Sequence, residues 1–313
     1  ALLLAACGPA ATATPVPTRV AAAVATPTAT PVMGVAPAAT STPTPRPAVS
    51  PSPAQATGPK YGGTLRMPLT ADIPGWDLFK NTGTNLHEIV SFNHTRLLLK
   101  NHDAAAGCGS FPADPELAQS WKWLNDRTLE IKIRQGVKYQ DLPPMNGREL
   151  VASDVVFSID KQWPKMSWYK PITDAMDKIE ATDRYTVRIS LKSPFSVFPD
   201  KGLMADVANI VAPEIFDGKP DMIRQDQNVG MGPFILTSYV LGVKATHKKN
   251  PNYATVRPGI PYLDGIDQFI IPDFSSQAAA LRAGKLDFAT VQWEPAVIQE
   301  LQRSAPNLAS QVC

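Results

Sequence analysis

The sequence lacks most of what marks a catalyst. It has no Gly-x4-Gly-Lys-Ser/Thr phosphate loop, no Gly-x-Gly-x-x-Gly opening a helix and no Gly-x-Ser-x-Gly nucleophile elbow. The stretch "GCGSFP" at 107–112 comes nearest by eye, but its spacing is wrong and no strand leads into it. The four histidines, His87, His94, His102 and His247, form no His-Glu-x-x-His pair. A zinc site needs tighter paired ligands, so His94 and His102 read as exposed or core-edge side chains, with no metal and no cofactor expected. Carboxylates are abundant, but sequence alone pairs none of them into an acid–base couple.

Cysteine is scarce: Cys7, Cys108 and Cys313. An odd count gives no disulfide framework. Cys108 sits in a small-residue loop, either without a role or bridged to Cys313 or to a cysteine further on. No apolar run approaches the roughly 20 residues of a membrane span. A net charge of +2 over 313 residues gives no bias toward nucleic acid. The short "HKKN" run at His247 reads as a solvated strand end.

Charge is almost missing from one region. Between Gly8 and Pro59 only Arg19 and Arg46 are charged, while 12 of the 31 prolines fall there. Such a tract cannot bury a core, and proline extends it. Residues 8–59 therefore read as a disordered, semi-rigid tether. The chain from Lys60 to Cys313 has ordinary globular composition, long enough for a sizeable core. Ahead of the tether, Leu4-Ala5-Ala6-Cys7 fits a bacterial lipobox: small side chains before a cleavage point, then a thiol that carries lipid. Residues 1–7 read as the end of a signal peptide with Cys7 lipidated, which anchors the protein at the outer face of a cell membrane.

In the globular part, Thr64–Leu69 reads as a strand after Gly62-Gly63, followed by a long loop and a helix whose apolar face includes Leu86, Ile89 and Val90. Leu129, Ile131 and Ile133 alternate with charged residues, with Trp121–Leu124 as hairpin partner. At least one of Trp121 and Trp123 belongs to the core. "SDVVFSIDKQW" predicts a helix capped by Ser153 with Val155, Val156, Ile159 and Trp163 on one side. Tyr185–Leu191 and three segments between Gly232 and Pro272 read as strands. A helix stopping near Gly284 and a further strand follow. The class is mixed α/β.

Four stretches, "YGGTLRMPLTADIPGWDLF", "PELAQSWKWLNDRTLEIKIRQGVKYQDLPPMNGRELVASDVVFSIDK", "GMGPFILTSYVLGVKATHKKNPNY" and "PYLDGIDQFIIPDFSSQAAALRAGKLDFA", resemble in order and spacing the family 5 extracellular solute-binding proteins of ABC importers. The resemblance covers nearly all of residues 61–295. It implies a type II periplasmic-binding-protein-like bilobed clamshell, truncated before most of the second lobe. Residues 61–92 and 226–292 would form the first lobe, 93–225 an inserted smaller domain, and 293–313 the start of the second lobe. With half the cleft absent, the chain alone would bind weakly.

The resemblance implies a non-enzymatic receptor that captures a peptide or similar small solute and delivers it to ABC permease subunits. It would act as a monomer tied to the membrane by lipid on Cys7, without nucleic acid. A lipid-anchored cell-envelope hydrolase or a stalked interaction module is the alternative. By likeness to the family, Gly75 and Trp76 line the cleft, Thr82, Gly83 and Thr84 offer backbone groups to an extended peptide, and Tyr169 supplies an aromatic contact. Met204 and Trp293 stand at the cleft wall and hinge. For Trp76 and Tyr169, plain packing is the competing role.

Overall fold

The computed structural model describes residues 58–81, 83–100, 112–216, 218–219, 224–289 and 295–305. Cys7, Cys108, Cys313, Thr82, His102, Trp293 and all but the last residues of the tether lie outside the described residues. In chain order the elements are β1 (Thr64–Leu69), α1 (Thr84–Val90), β2 (Leu98–Lys100), β3 (Ala113–Pro115), β4 (Ala118–Asn125) and β5 (Thr128–Ile133). Then come α2 (Ala152–Phe157), α3 (Lys170–Ala175), β6 (Met176–Asp183) and β7 (Thr186–Leu191). The last are β8 (Phe234–Val240), β9 (Lys244–Lys249), β10 (Gly265–Ile270), α4 (Phe274–Arg282) and α5 (Pro295–Ser304). Among the described residues no helix is long and apolar enough to cross a membrane.

One four-stranded sheet has the order β1-β10-β9-β8. β1 runs parallel to β10, with Thr64 opposite Gly265 and Leu69 opposite Ile270. A parallel pair needs a long return connection, and here everything from Thr70 to Asp264 supplies it. β10, β9 and β8 then pair antiparallel. The second sheet, β4-β5-β7-β6, is antiparallel throughout. Its central strands bury Leu129, Ile131, Ile133, Val187, Ile189 and Leu191. Val155, Ile159 and Trp163 join the same core. Trp121 and Trp123, two residues apart and so on one face of β4, are half-buried, and both pack against that core. β2 and β3 form a short separate ribbon.

Two local expectations change, and one strand stands where none was expected. The helix after Leu150 is capped at Val151 rather than Ser153: the Val151 N–H donates to the Asp154 carboxylate at 3.1 Å, and Ser153 is exposed. It runs as a regular helix only to Phe157, then as a π turn over Ser158–Gln162 and a 3-10 turn over Trp163–Lys165 containing Pro164. β6 has no clean alternation because irregular register between Met176 and Lys178, and between Ala181 and Asp183, breaks the period. After Gly284, which has φ +65° and ends α4, the described residues form no further strand. Asp287 nonetheless follows β1, its N–H donating to the Arg66 carbonyl at 2.8 Å and its carboxylate pairing with the Arg66 guanidinium at 2.7 Å.

Candidate functional site

The loop from Thr70 to Gly83 leaves the end of β1 and delivers the chain to α1. Leu78 and Phe79 anchor it in the core. Asp77 folds the local turn, its Oδ1 accepting the N–H groups of Phe79 (3.0 Å) and Lys80 (3.2 Å). Asn81 then ties three points together. Its side-chain amide donates to the Gly75 carbonyl at 3.0 Å, its Oδ1 accepts the Gly83 N–H at 2.8 Å, and its carbonyl lies 3.2 Å from His87 Nε2. A second anchor reaches the β8–β9 hairpin. The Tyr239 hydroxyl donates to Asp72 at 2.7 Å and accepts the Ile73 N–H at 3.1 Å, and the Gly242 N–H donates to Asp72 at 2.9 Å. Trp76 stands edge-on to Tyr239, ring centroids 5.1 Å apart.

Beside this loop α1 forms one wall of a groove of about 520 Å³. Thr84, His87, Glu88 and Ser91 face it from successive turns. Arg96, Trp168, Asp206 and Val207 complete its lining. The Arg96 guanidinium is largely buried and pairs with Asp206 at 2.7 Å. Burial would raise the Asp206 carboxyl, but Arg96 and Lys100 together hold it below the ordinary carboxylate range. Burial lowers the His87 pKa, opposed by the Asn81 carbonyl and by Asp206. Glu88 is exposed, and partial desolvation raises its carboxyl. The groove therefore combines an exposed indole, a neutral imidazole, the Arg96–Asp206 ion pair and one carboxylate, Glu88, with no ion pair among the described residues.

After α1 two chain segments cross at backbone contact. A Cβ on Gly230 would lie 2.1 Å from the Asn93 carbonyl oxygen, and one on Gly232 would lie 2.7 Å from that of Phe92. The "GMG" motif is glycine at both ends because two backbones touch there. The Gly232 N–H donates to Asn93 at 3.0 Å, the Gln140 side chain donates to the carbonyls of Asn93 (3.2 Å) and Phe234 (2.9 Å), and the Asn93 amide donates to Asn228 at 2.8 Å. His94 and His247 are both buried here, neither core-edge nor solvated, with no ring nitrogen in a hydrogen bond. Burial lowers each to about 4. Nearby, the fully buried Glu116 accepts from Arg257 Nε at 2.5 Å, from Thr95 at 3.1 Å and from the Tyr253 hydroxyl, while Arg257 also reaches Asp114 at 2.6 Å.

The structure brings Gly75, Trp76, Gly83 and Thr84 together on the loop and the start of α1. Thr84 is exposed in the groove, and Trp76 is half-buried with one edge in the core. Tyr169 lies inside the core, its hydroxyl donating to the Gly202 carbonyl and its ring edge-on to Trp163. Met204 is buried as well. The aromatic of "MSWYK" that faces the groove is the neighbouring Trp168, 39% exposed on the 3-10 turn Ser167–Tyr169. Asn81, Glu88, Arg96 and Asp206 were not legible as site residues. Asn81 alone left a signal, as the first residue of "NTGTN".

Residues 113–311 match the middle part of the bacterial extracellular solute-binding proteins, family 5. The chain is 30% identical over 236 residues to di/tripeptide-binding protein 3 of Pseudomonas aeruginosa, covering 69% of this chain and 43% of that one. Among solved structures it resembles the periplasmic binding protein DppA of Helicobacter pylori in complex with peptide STSA. The TM-score is 0.66 at 25% identity, over 78% of this chain and 49% of that one. It also resembles MoaA of A. tumefaciens R10 in complex with mannopinic acid, with TM-score 0.65 and 27% identity over 79% and 48% of the two chains. The chain thus spans about half the length of the proteins it matches.

Proposed function

Because the chain belongs to the bacterial extracellular solute-binding proteins of family 5, we propose that the protein captures a small peptide or similar solute outside the cytoplasm. It then hands the solute to the permease of an ABC importer. The observation that carries this reading is the groove between α1 and Trp168, together with a loop whose polar backbone is held open by Asn81 and Asp72. Gly75 and Trp76 line the cleft, Thr82, Gly83 and Thr84 offer an extended ligand the backbone groups that Asn81 does not already occupy, and Trp168 supplies aromatic area. Tyr169 and Met204 act from behind, holding the turn that presents Trp168. Trp293 stands at the hinge.

Segments 61–92 and 226–292 make the first lobe and 93–225 the inserted domain, and a second lobe beginning within 293–313 closes over the solute. The work is binding and release, without covalent chemistry. Lipid on Cys7 keeps the receptor at the membrane, and the proline-rich tether sets its reach. A thermal-shift panel of di- and tripeptides, sugars and metal chelates on the full-length protein tests the reading. Stabilisation by at least one peptide supports it, and no shift with any member of the panel sinks it.

A further inference from the structure

The groove carries a charge imbalance that points to the chemistry of what enters it. The Arg96 guanidinium is largely buried and pairs with Asp206, whose second oxygen lies 3.6 Å from Lys100, so Arg96 presents little charge to a ligand and Asp206 is already neutralised. His87 is neutral near pH 7, its proton fixed on Nε2 by the Asn81 carbonyl. What remains in the lining is the Glu88 carboxylate and the exposed Trp168 indole. Glu88 is exposed and has no ion pair among the described residues, so its carboxylate is open to a cation that enters the groove. An anion would meet Glu88 with no free cation in the lining. A flat or ammonium-bearing group would gain both the carboxylate and the face of the indole.

We propose that this groove is a cation subsite, in which an ammonium or guanidinium of the bound solute lies between Glu88 and Trp168. The proposal rests on the solute-binding reading above and adds the charge of the preferred solute. Two sources share that chemistry: a basic side chain and a peptide's terminal ammonium. The Glu88 oxygens accept its N–H groups, and Trp168 covers its apolar stem. Asp206 stays with Arg96, so it tunes the local field without touching the ligand.

The test uses the full-length protein labelled with 5-fluorotryptophan, its Trp168 signal assigned by loss in Trp168→Phe. The unlabelled protein is titrated in parallel by calorimetry. The ligands are Ac-Ala-Lys-Ala-NH2, Ac-Ala-Arg-Ala-NH2, Ala-Ala-Ala-NH2, Ac-Ala-Ala-Ala-NH2 and Ac-Ala-Glu-Ala-NH2. The proposal expects cationic peptides to move the Trp168 signal and to bind about tenfold tighter than the uncharged peptide, with the glutamyl peptide weakest. Tighter binding of the two acetylated basic peptides identifies the side chain as the source, and tighter binding of Ala-Ala-Ala-NH2 identifies the terminus. Glu88→Gln should erase the preference, bringing the cationic peptides to the affinity that Ac-Ala-Ala-Ala-NH2 has for the same variant. Equal binding of all five peptides, or a preference that survives Glu88→Gln, overturns the subsite and leaves the solute-binding reading standing. No binding of any peptide overturns both.

Discussion

The Tyr239 hydroxyl donates to the Asp72 carboxylate at 2.7 Å, and these residues stand 167 apart in the chain. Through that contact the hairpin of β8 and β9 holds the loop that carries Gly75 and Trp76, and the Gly242 N–H shares the same carboxylate. Tyr239→Phe removes one hydrogen bond to a carboxylate and one acceptor for the Ile73 N–H. It should cost about 2 kcal/mol by chemical denaturation and alter Trp76 fluorescence, since the rings touch. Unchanged stability and emission would show that the loop is held elsewhere.

The crossing of residues 92–94 with 228–234 predicts a sharp contrast between two glycines. Gly230→Ala forces a methyl against the Asn93 carbonyl and should destabilise the protein by about 3 kcal/mol or abolish folding. Gly75→Ala meets nothing within 4 Å and should stay within about 0.5 kcal/mol of the parent. Urea midpoints for the two variants separate these outcomes.

Arg257 joins the turn after β9 to the buried Glu116 between β3 and β4. Arg257→Met leaves that carboxylate without its cation in the core, and about 3 kcal/mol of stability should be lost. The double variant Arg257→Met, Glu116→Gln should recover part of the loss. No recovery would mean that Arg257 acts through packing rather than charge.

The buried histidines give the protein a sensitivity to acid. Their folded pKa values, about 4, lie below the ordinary value of 6.5. Between those limits the unfolded chain binds protons that the folded chain refuses, so stability falls as pH drops from 6.5 to 4. Each histidine accounts for about 3 kcal/mol across that window. His247→Leu removes one such group, whose ring nitrogens have no partner, and should flatten the fall in melting temperature. An unaltered pH profile would contradict the assignment.

Cys7→Ser should move the protein from the membrane fraction to the medium or periplasm without changing its solute affinity. Retention in the membrane fraction would show that Cys7 is not the anchor.

Much of the fold was legible because burial enforces a period. Leu129, Ile131 and Ile133 alternate with charged neighbours, and Thr64–Leu69 is entered through Gly62-Gly63, so both strands could be placed. β6 was not, since its register irregularities break the alternation that a pattern needs. Ser153 is a better capping residue than Val151, yet Asp154 caps from inside the helix, a choice set by side-chain geometry. The site was less legible still. Trp168 and Asp206 come from segments far in sequence from Glu88 and Arg96, and only the folded chain brings the four to one groove. "GMG" was visible as a motif, but its purpose, contact between two backbones, is a property of the folded chain.

The central claim is that solute is held where the Thr70–Gly83 loop meets α1. Hydrogen–deuterium exchange of the full-length protein, with and without a saturating tripeptide, tests it most directly. The account predicts slowed exchange across residues 75–91 when ligand is bound. Ligand bound by calorimetry with exchange across 75–91 unchanged would contradict it.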